Sequence, residues 1–297
     1  MKALGVTLII PSYNGDIENT LSALKTQTLH DWDYVIQQHT SPAARARNLG
    51  AQRATGEYLV FLDDDVKFSS PNVLENVLKT LKFLGPKDVV NITWRLRPDA
   101  NWIQRIQSAN PTFTFDRSHR HTKMSWKECG AACFAIRSDW FSTLGGFDED
   151  LVSGEDCDLA YRLVKAGGKI VTLPDCWIEH DPPQTFKGAV VKAFWYERGN
   201  AQVTRKHPEA SYRINLNRPW KAIAYLFLRS FALVPLMFFK VTYLQRQPIL
   251  AFRPLETLLS YLGSWAYVRE WLFPTKAKAH TSMPLSIKQE TKEVCVS

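Results

Sequence analysis

Residues 58–65 read Tyr-Leu-Val-Phe-Leu-Asp-Asp-Asp, an unbroken apolar run that stops on three adjacent carboxylates. An apolar run without alternation predicts a strand covered on both faces, as in the middle of an α/β sheet. The acids then stand at its carboxyl end, where open α/β sheets place their ligands. Carboxylates this close raise one another's pKa unless a cation sits among them. Hard oxygen donors suit Mg²⁺ or Mn²⁺, which are held by one or two carboxylates together with substrate phosphates. The run therefore points to a metal–diphosphate site at Asp63, Asp64 and Asp65. The plainer alternative is an acidic strand-to-loop turn that binds nothing.

The rest of the chain can support such a strand. Its 297 residues suffice for one large domain with an appendage, and 45% hydrophobic residues exclude global disorder. The formal charge of +8 is concentrated after residue 185, in and around apolar segments rather than in a compact Lys/Arg block. That distribution favours an anionic membrane surface and predicts no nucleic-acid partner. The opening apolar run is short and meets Pro11 at once, so no signal peptide is expected. The odd set Cys129, Cys133, Cys157, Cys176 and Cys295 contains no CxxC pair. Reduced cytosolic thiols explain it better than a disulfide framework or a zinc site.

Along the chain, strands are expected at 6–10, 34–36, 58–62, 89–94, 130–136 and 169–173, and helices at 17–26, 43–54, 71–83, 138–144 and 155–166. This alternation predicts an α/β fold, a mostly parallel sheet covered by helices on both faces. Residues 95–127 lack periodicity and are rich in Arg, His, Asn, Pro and Trp. A long irregular stretch of this kind is functional or mobile. His119, Arg120 and His121 within it are read as an acceptor-side loop. Trp94, Trp102 and Trp126 are candidates for stacking on sugar rings, or else core residues.

Three blocks occur in a recognisable order: Val-Thr-Leu-Ile-Ile-Pro-Ser-Tyr-Asn near the start, Ala-Thr-Gly-Glu-Tyr-Leu-Val-Phe-Leu-Asp-Asp-Asp at 54–65, and Leu-Gly-Gly-Phe-Asp-Glu with Gly-Glu-Asp-Cys-Asp-Leu-Ala-Tyr-Arg-Leu-Val-Lys-Ala-Gly-Gly at 144–168. Together they resemble the family 2 glycosyltransferases of bacterial type, inverting enzymes with the Rossmann-like GT-A fold, over roughly residues 5–205. The resemblance implies a nucleotide-sugar donor, a glycan or lipid-linked acceptor, and Mn²⁺ or Mg²⁺. It puts Asp65 on the metal, Asp63 on the ribose or the metal shell, and Asp64 between them as the variable residue of the nucleotide-sugar-binding motif. It makes Pro11, Tyr13 and Asn14 the lining of the nucleotide pocket and places Arg45 and Arg47 close to the nucleotide. Where many relatives carry an Asp-Asp-Gly-Ser-like turn, this chain has Gln37-Gln38-His39, so Gln37 is the candidate for reading the base.

Inverting transfer needs a base for the acceptor hydroxyl and a cation for the departing diphosphate. Asp156 is the candidate base: it sits in the first turn of the 155–166 helix, where the dipole favours a negative charge. Glu155 lies about 100° away around the helix, so it binds acceptor or orients the site. Both are also ordinary acids for a helix start. His180, just past a strand, is a candidate metal or diphosphate ligand, as some relatives have one there. Arg198 has the planar fork to reach the diphosphate, or else pairs with Glu197 or Glu209.

From 222 to 239 only Arg229 and Ser230 are polar, and a second apolar segment covers 255–273. A central Arg and Pro235 argue against a spanning helix. Trp220, Lys221, Lys240, Arg246, Arg253, Trp265 and Trp271 crowd the segment edges, which predicts helices lying in a membrane interface, with peripheral contact through 219–273. A soluble helical subdomain is the alternative. The expected organisation is a catalytic domain at 1–215, an apolar helical segment at 216–275 and a disordered tail at 276–297. The chain is expected at the cytoplasmic face of the inner membrane. Two rival functions remain, a sugar-1-phosphate nucleotidyltransferase and a non-catalytic glycan-binding protein on the same scaffold.

Overall fold

The computed structural model describes residues 5–15, 17–108, 122–173, 175–210, 212–238, 240–244, 247–251, 254–278 and 280–281. The acid-tipped run forms the strand Tyr58–Leu62 inside a seven-stranded sheet. The sheet order is Trp32–Gln38, Val6–Ser12, Tyr58–Leu62, Cys133–Arg137, Val89–Asn91, Ile170–Thr172, Thr122–Lys123. Five of the seven strands run one way; Cys133–Arg137 and Thr122–Lys123 oppose them.

Every residue of Tyr58–Leu62 is buried because both faces are covered. Tyr58, Val60 and Leu62 pack with Leu8, Ile10, Leu74, Val77 and Leu81. Leu59 and Phe61 pack with Ile9, Phe134, Leu159 and Leu163 on the other side. Each such side chain contributes roughly 1.5–3 kcal/mol by leaving water, so neither face has room for a polar residue until the strand ends at Asp63. The helix Val73–Phe83 covers one face and the helix Glu155–Lys165 the other, each through residues at helical spacing.

The 89–94 strand expected from the sequence divides at Ile92. Val89–Asn91 stays in the main sheet, while Thr93–Arg95 joins Trp177–Glu179 and Lys67–Phe68 in a second, three-stranded sheet. Asn91 fixes the break: its side-chain amide donates to the carbonyls of Gly130 and Cys133. This small sheet carries the chain past Asp65 twice more and brings residues 95–97 and 180–181 to it.

Two long helices close the carboxy-terminal side. Phe186–Lys206 passes so near the loop before Glu155 that a Cβ on Gly199 would lie 2.1 Å from Ser153 Oγ. Pro254–Leu272 lies on Phe186–Lys206. Its Glu270 is fully buried and accepts from Arg198 and Gln202, and Thr275 N closes the turn onto the same carboxylate. The helix Pro219–Phe238 is long and apolar enough to cross a membrane, by length and composition. It turns Arg229, only partly covered, toward Ser260 and Ser264. A strand pair, Lys240–Leu244 with Gln247–Ala251, lies between the two apolar helices in the chain, where no strand was expected.

The start of the expected disordered tail is ordered. Ala277 N donates to Asp150 O, Lys276 pairs with Asp150, and His280–Thr281 pairs with Thr40–Ser41. His119, Arg120, His121, Arg246, Arg253, Cys295 and the tail from 282 lie outside the described residues. The four described cysteines are unpaired and buried, and burial pushes their thiols up. Among the described residues none of them joins a metal-ligand cluster.

Candidate functional site

The carboxyl end of Tyr58–Leu62 meets the amino end of its antiparallel neighbour, and Asp63 N donates to Ala132 O at 3.2 Å. Trp177–Glu179, paired with Lys67–Phe68, then delivers His180 to the acids. His180 Nδ1 is 3.0 Å from Asp65 Oδ1. One ligand atom each from Asp63, Asp65 and His180 lie within 4.8 Å of one another. Burial alone would raise the Asp65 carboxyl, but the hydrogen bond and charge of His180, with Arg97, hold it below its usual range. His180 is raised in turn: burial opposes its charge, and Asp65 outweighs burial. Two carboxylates and an imidazole form a hard-to-borderline donor set that fits Mn²⁺ or Mg²⁺.

Asp64 stands apart. Its side chain hydrogen-bonds Ser12, and its backbone carbonyl accepts from Thr20 Oγ1. Burial, with Asp65 and Asp63 nearby, raises its carboxyl. Its contacts are thus with the Val6–Ser12 strand and the helix Glu18–Lys25 rather than with Asp63, Asp65 and His180.

Arg47 is not at a nucleotide surface, and this corrects the sequence reading. Its side chain is only 6% exposed, donating from Nη2 to Asp63 Oδ1 at 2.8 Å and from Nη1 to Glu155 Oε1 at 2.7 Å. Burial opposes its charge, but Asp63 and Glu155 more than compensate. Phe147 covers the guanidinium at 5.6 Å. The fork thus joins the cluster of Asp63, Asp65 and His180 to the helix that carries Asp156. Glu155 is buried in that pairing.

Asp156 is half-buried above a crevice lined by Cys129, Gly130, Ala131, Phe134 and Phe147. Its Oδ1 accepts from Cys157 N at 2.7 Å. The helix dipole does not keep it fully ionised, as the sequence reading expected. Burial, followed by the Glu155 charge, pushes its carboxyl up to about 7. That value suits a general base working near neutrality.

On the nucleotide side, Tyr13 and Asn14 are exposed at the end of Val6–Ser12 and Pro11 is partly covered. Gln37 is a second correction. It is buried, with Nε2 donating to Thr40 Oγ1 at 2.9 Å and Oε1 accepting from Arg53 at 3.0 Å, so neither end of its amide is left for a base. The exposed amide at that strand end is Gln38, beside Gly15. Arg45 is half-exposed and pairs with Glu149 at 3.5 Å rather than with the acids of the cluster. Arg198 is the third correction: Nε donates to Glu270 at 3.2 Å and Nη2 to Thr275 Oγ1 at 2.7 Å, so it anchors the carboxy-terminal helix instead of reaching a diphosphate. Of the tryptophans, Trp94 lies edge-on to His180, Trp126 packs with Tyr161 and Tyr212, and Trp102 is exposed.

Three further residues complete the site. Arg97 donates to the Asp65 carbonyl at 2.7 Å and pairs with Asp181. Lys192 and Tyr196, one turn apart on Phe186–Lys206, face the acids: the Lys192 ammonium lies 5.4 Å from the Tyr196 ring. Burial raises the Tyr196 phenol, and the charges of Asp156, Asp63 and Glu155 add to it. In the sequence their only signal is helical spacing with Gly199, whose close approach to Ser153 turns that face toward the site.

The profile of the family described as Glycosyltransferase like family 2 matches residues 6–187. The pre-mycofactocin glycosyltransferase of Mycobacterium tuberculosis is 26% identical over 190 residues, which cover 60% of this chain and 38% of that protein. The validoxylamine A glucosyltransferase of Streptomyces hygroscopicus subsp. limoneus is 26% identical over 264 residues, covering 68% of this chain and 57% of that protein. The chain thus spans well under two thirds of either relative. Among solved structures, a mannosyltransferase from Pyrobaculum calidifontis, in complex with GDP-Man and Mn2+, superposes with a TM-score of 0.57 at 20% identity, covering 90% of this chain and 87% of that one. That likeness establishes the expected GT-A fold.

Proposed function

The chain belongs to glycosyltransferase-like family 2, and from that membership we propose that it moves a sugar from a nucleotide-sugar donor to a glycan or lipid-linked saccharide acceptor, with inversion and with Asp156 as general base. A divalent cation, Mn²⁺ or Mg²⁺, would be held by Asp63, Asp65 and His180 and would neutralise charge on the donor diphosphate. Asp156 takes the proton of the acceptor hydroxyl. The acceptor oxygen forms the new bond to the anomeric carbon while the bond to the diphosphate oxygen breaks, its electron pair leaving with the nucleoside diphosphate. Direct displacement of this kind inverts the anomeric centre.

The observation that carries the reading is the arrangement around Arg47. One buried guanidinium ties Asp63 of the metal cluster to Glu155, the residue next to a carboxyl poised at about 7. A leaving-group site and a base are thereby fixed relative to each other, as an in-line displacement requires. Tyr13, Asn14 and the exposed Gln38 are the groups available to a nucleotide.

The apolar helix Pro219–Phe238 supports peripheral membrane contact. Trp220, Ile223, Phe227, Phe231 and Val234 follow helical spacing and are all exposed, Phe231 at 77%. Arg229, the polar interruption, is turned to the neighbouring helix. An interfacial helix presents an apolar stripe of this kind to lipid while its charged group stays on protein. Placement on the cytoplasmic face would bring the site to a lipid-linked acceptor.

The test is release of nucleoside diphosphate by the purified chain from a panel of UDP- and GDP-sugars, with Mn²⁺, with Mg²⁺ and with EDTA, and the anomeric configuration of the product by NMR. Metal-dependent release with an inverted product is expected. A retained configuration, or release indifferent to EDTA, would overturn it.

A further inference from the structure

Lys192, among the described residues, is a cation with no ion pair. Among the described residues no carboxylate lies within ion-pairing distance of its ammonium, and its contact is the face of the Tyr196 ring, 5.4 Å from the centroid. The other cations around the acids are committed: Arg47 to Asp63 and Glu155, and Arg97 to Asp181 and the Asp65 carbonyl. Lys192 is nonetheless half-buried, and its charge acts on Asp63, Asp65 and His180.

Helix geometry explains why Lys192, and not Arg198, faces the cluster. Gly199 lies seven residues after Lys192, about 20° from it around the helix axis, and Gly199 is pressed against Ser153 just before Glu155. Arg198 lies about 120° from Lys192, on the side where Glu270 takes it. The helix therefore turns Lys192 into the site and uses Arg198 to hold Pro254–Leu272.

We propose that Lys192 binds the diphosphate of the donor and of the departing nucleotide, as a protein cation beside the metal cluster. This rests on the glycosyl-transfer reading above. An ammonium is a point charge with three donors, and a phosphate oxygen supplies both the charge and the acceptor it lacks. Burial lowers the Lys192 pKa while Asp63 and Asp65 support its charge, so an anionic ligand completes a partly compensated environment. As the sugar–diphosphate bond breaks, its electron pair stays on the diphosphate oxygen, facing Lys192, while the acceptor proton goes to Asp156.

The experiment is calorimetric titration of the full chain with GDP and with UDP in the presence of Mn²⁺, comparing wild type with Lys192→Met, Lys192→Gln and Lys192→Arg. Mn²⁺ affinity without nucleotide is measured in parallel by electron paramagnetic resonance. The Met and Gln variants should lose about tenfold or more in nucleoside diphosphate affinity, the scale of a hydrogen bond to a charged group. The Arg variant should keep most of it, and Mn²⁺ should bind all four proteins alike. Two uncharged variants guard against one that fails to fold. Wild-type binding with undiminished affinity in either folded uncharged variant would overturn the role of Lys192 alone. No binding of either nucleotide by the wild type would overturn the glycosyl-transfer reading, and this inference with it.

Discussion

Arg47 and Glu155 lie 108 residues apart in the chain and 2.7 Å apart in the fold. The second nitrogen of the same fork is 2.8 Å from Asp63. A planar guanidinium can serve two carboxylates at fixed angles; an ammonium cannot. The pairing locks the helix Ala43–Arg53, the end of Tyr58–Leu62 and the start of Glu155–Lys165 to one another. Its own positive charge offsets part of the repulsion that Glu155 and Asp63 exert on Asp156.

Replacing Arg47 with methionine should therefore destabilise the chain by about 3–5 kcal/mol, the scale for stranding a buried charge. Lysine should recover only part of that. Urea denaturation of the two variants measures it, and an Arg47→Met chain as stable as wild type would refute the structural role.

Asp156→Asn should lower kcat by about 10²–10⁴-fold while leaving Mn²⁺-dependent nucleotide binding intact. The wild-type rate should climb with pH as the Asp156 carboxyl, pushed up to about 7, loses its proton. A pH–rate profile of the variant that keeps the same rising limb would assign the base elsewhere.

The same group has a signature in stability. Its folded-state pKa of about 7 lies above the ordinary 3.8, so the folded chain binds the proton more tightly than the unfolded one. The stabilisation is fully present below the ordinary value and is lost as pH rises through about 7. Asp65, Asp158 and Glu270 are shifted the other way and lose their contributions as pH falls. The informative quantity is thus the wild type minus Asp156→Asn difference across that range. It should decline steadily with rising pH, and a flat difference would contradict the shift.

Asp65→Ala should abolish specific Mn²⁺ binding, and His180→Ala should weaken it by about 10-fold or more, comparable to the loss of a supporting group at a metal centre. Electron paramagnetic resonance of Mn²⁺ reads both without an activity assay. Unchanged binding in Asp65→Ala would remove the cluster from consideration as a metal centre.

Phe227→Ser and Phe231→Ser together should reduce sedimentation with vesicles containing anionic lipid, since each removes roughly 1.5–3 kcal/mol of apolar burial available in the bilayer interface. Their side chains are exposed, so melting temperature should hardly move. Vesicle binding equal to wild type would leave that stripe without a lipid role.

Much of the fold was legible because its signals are local. Continuous burial of residues 58–62, the helical spacing of Leu159 and Leu163, and the glycines that end the 155–165 helix are each written within a dozen residues. The break at Ile92 was not, because it depends on Asn91 finding carbonyls about 40 residues away. Gln37 read as a base contact for want of knowing that Arg53 and Thr40 would surround it. The pairing of Lys276 and of His280–Thr281 was hidden for the same reason, since their partners are Asp150 and the strand Thr40–Ser41.

The sequence by itself determined that a buried strand ends on acids and that a second acidic pair opens a helix, because periodicity and strand termination are properties of short segments. Only the tertiary structure decided which basic residue serves which acid. Arg47 went to Asp63 and Glu155, Arg198 to Glu270, and Lys192 was left, among the described residues, without a carboxylate of its own. A long charged side chain carries no local sign of its direction. Its partner is chosen by which helix face the packing turns inward, and here Gly199 against Ser153 makes that choice.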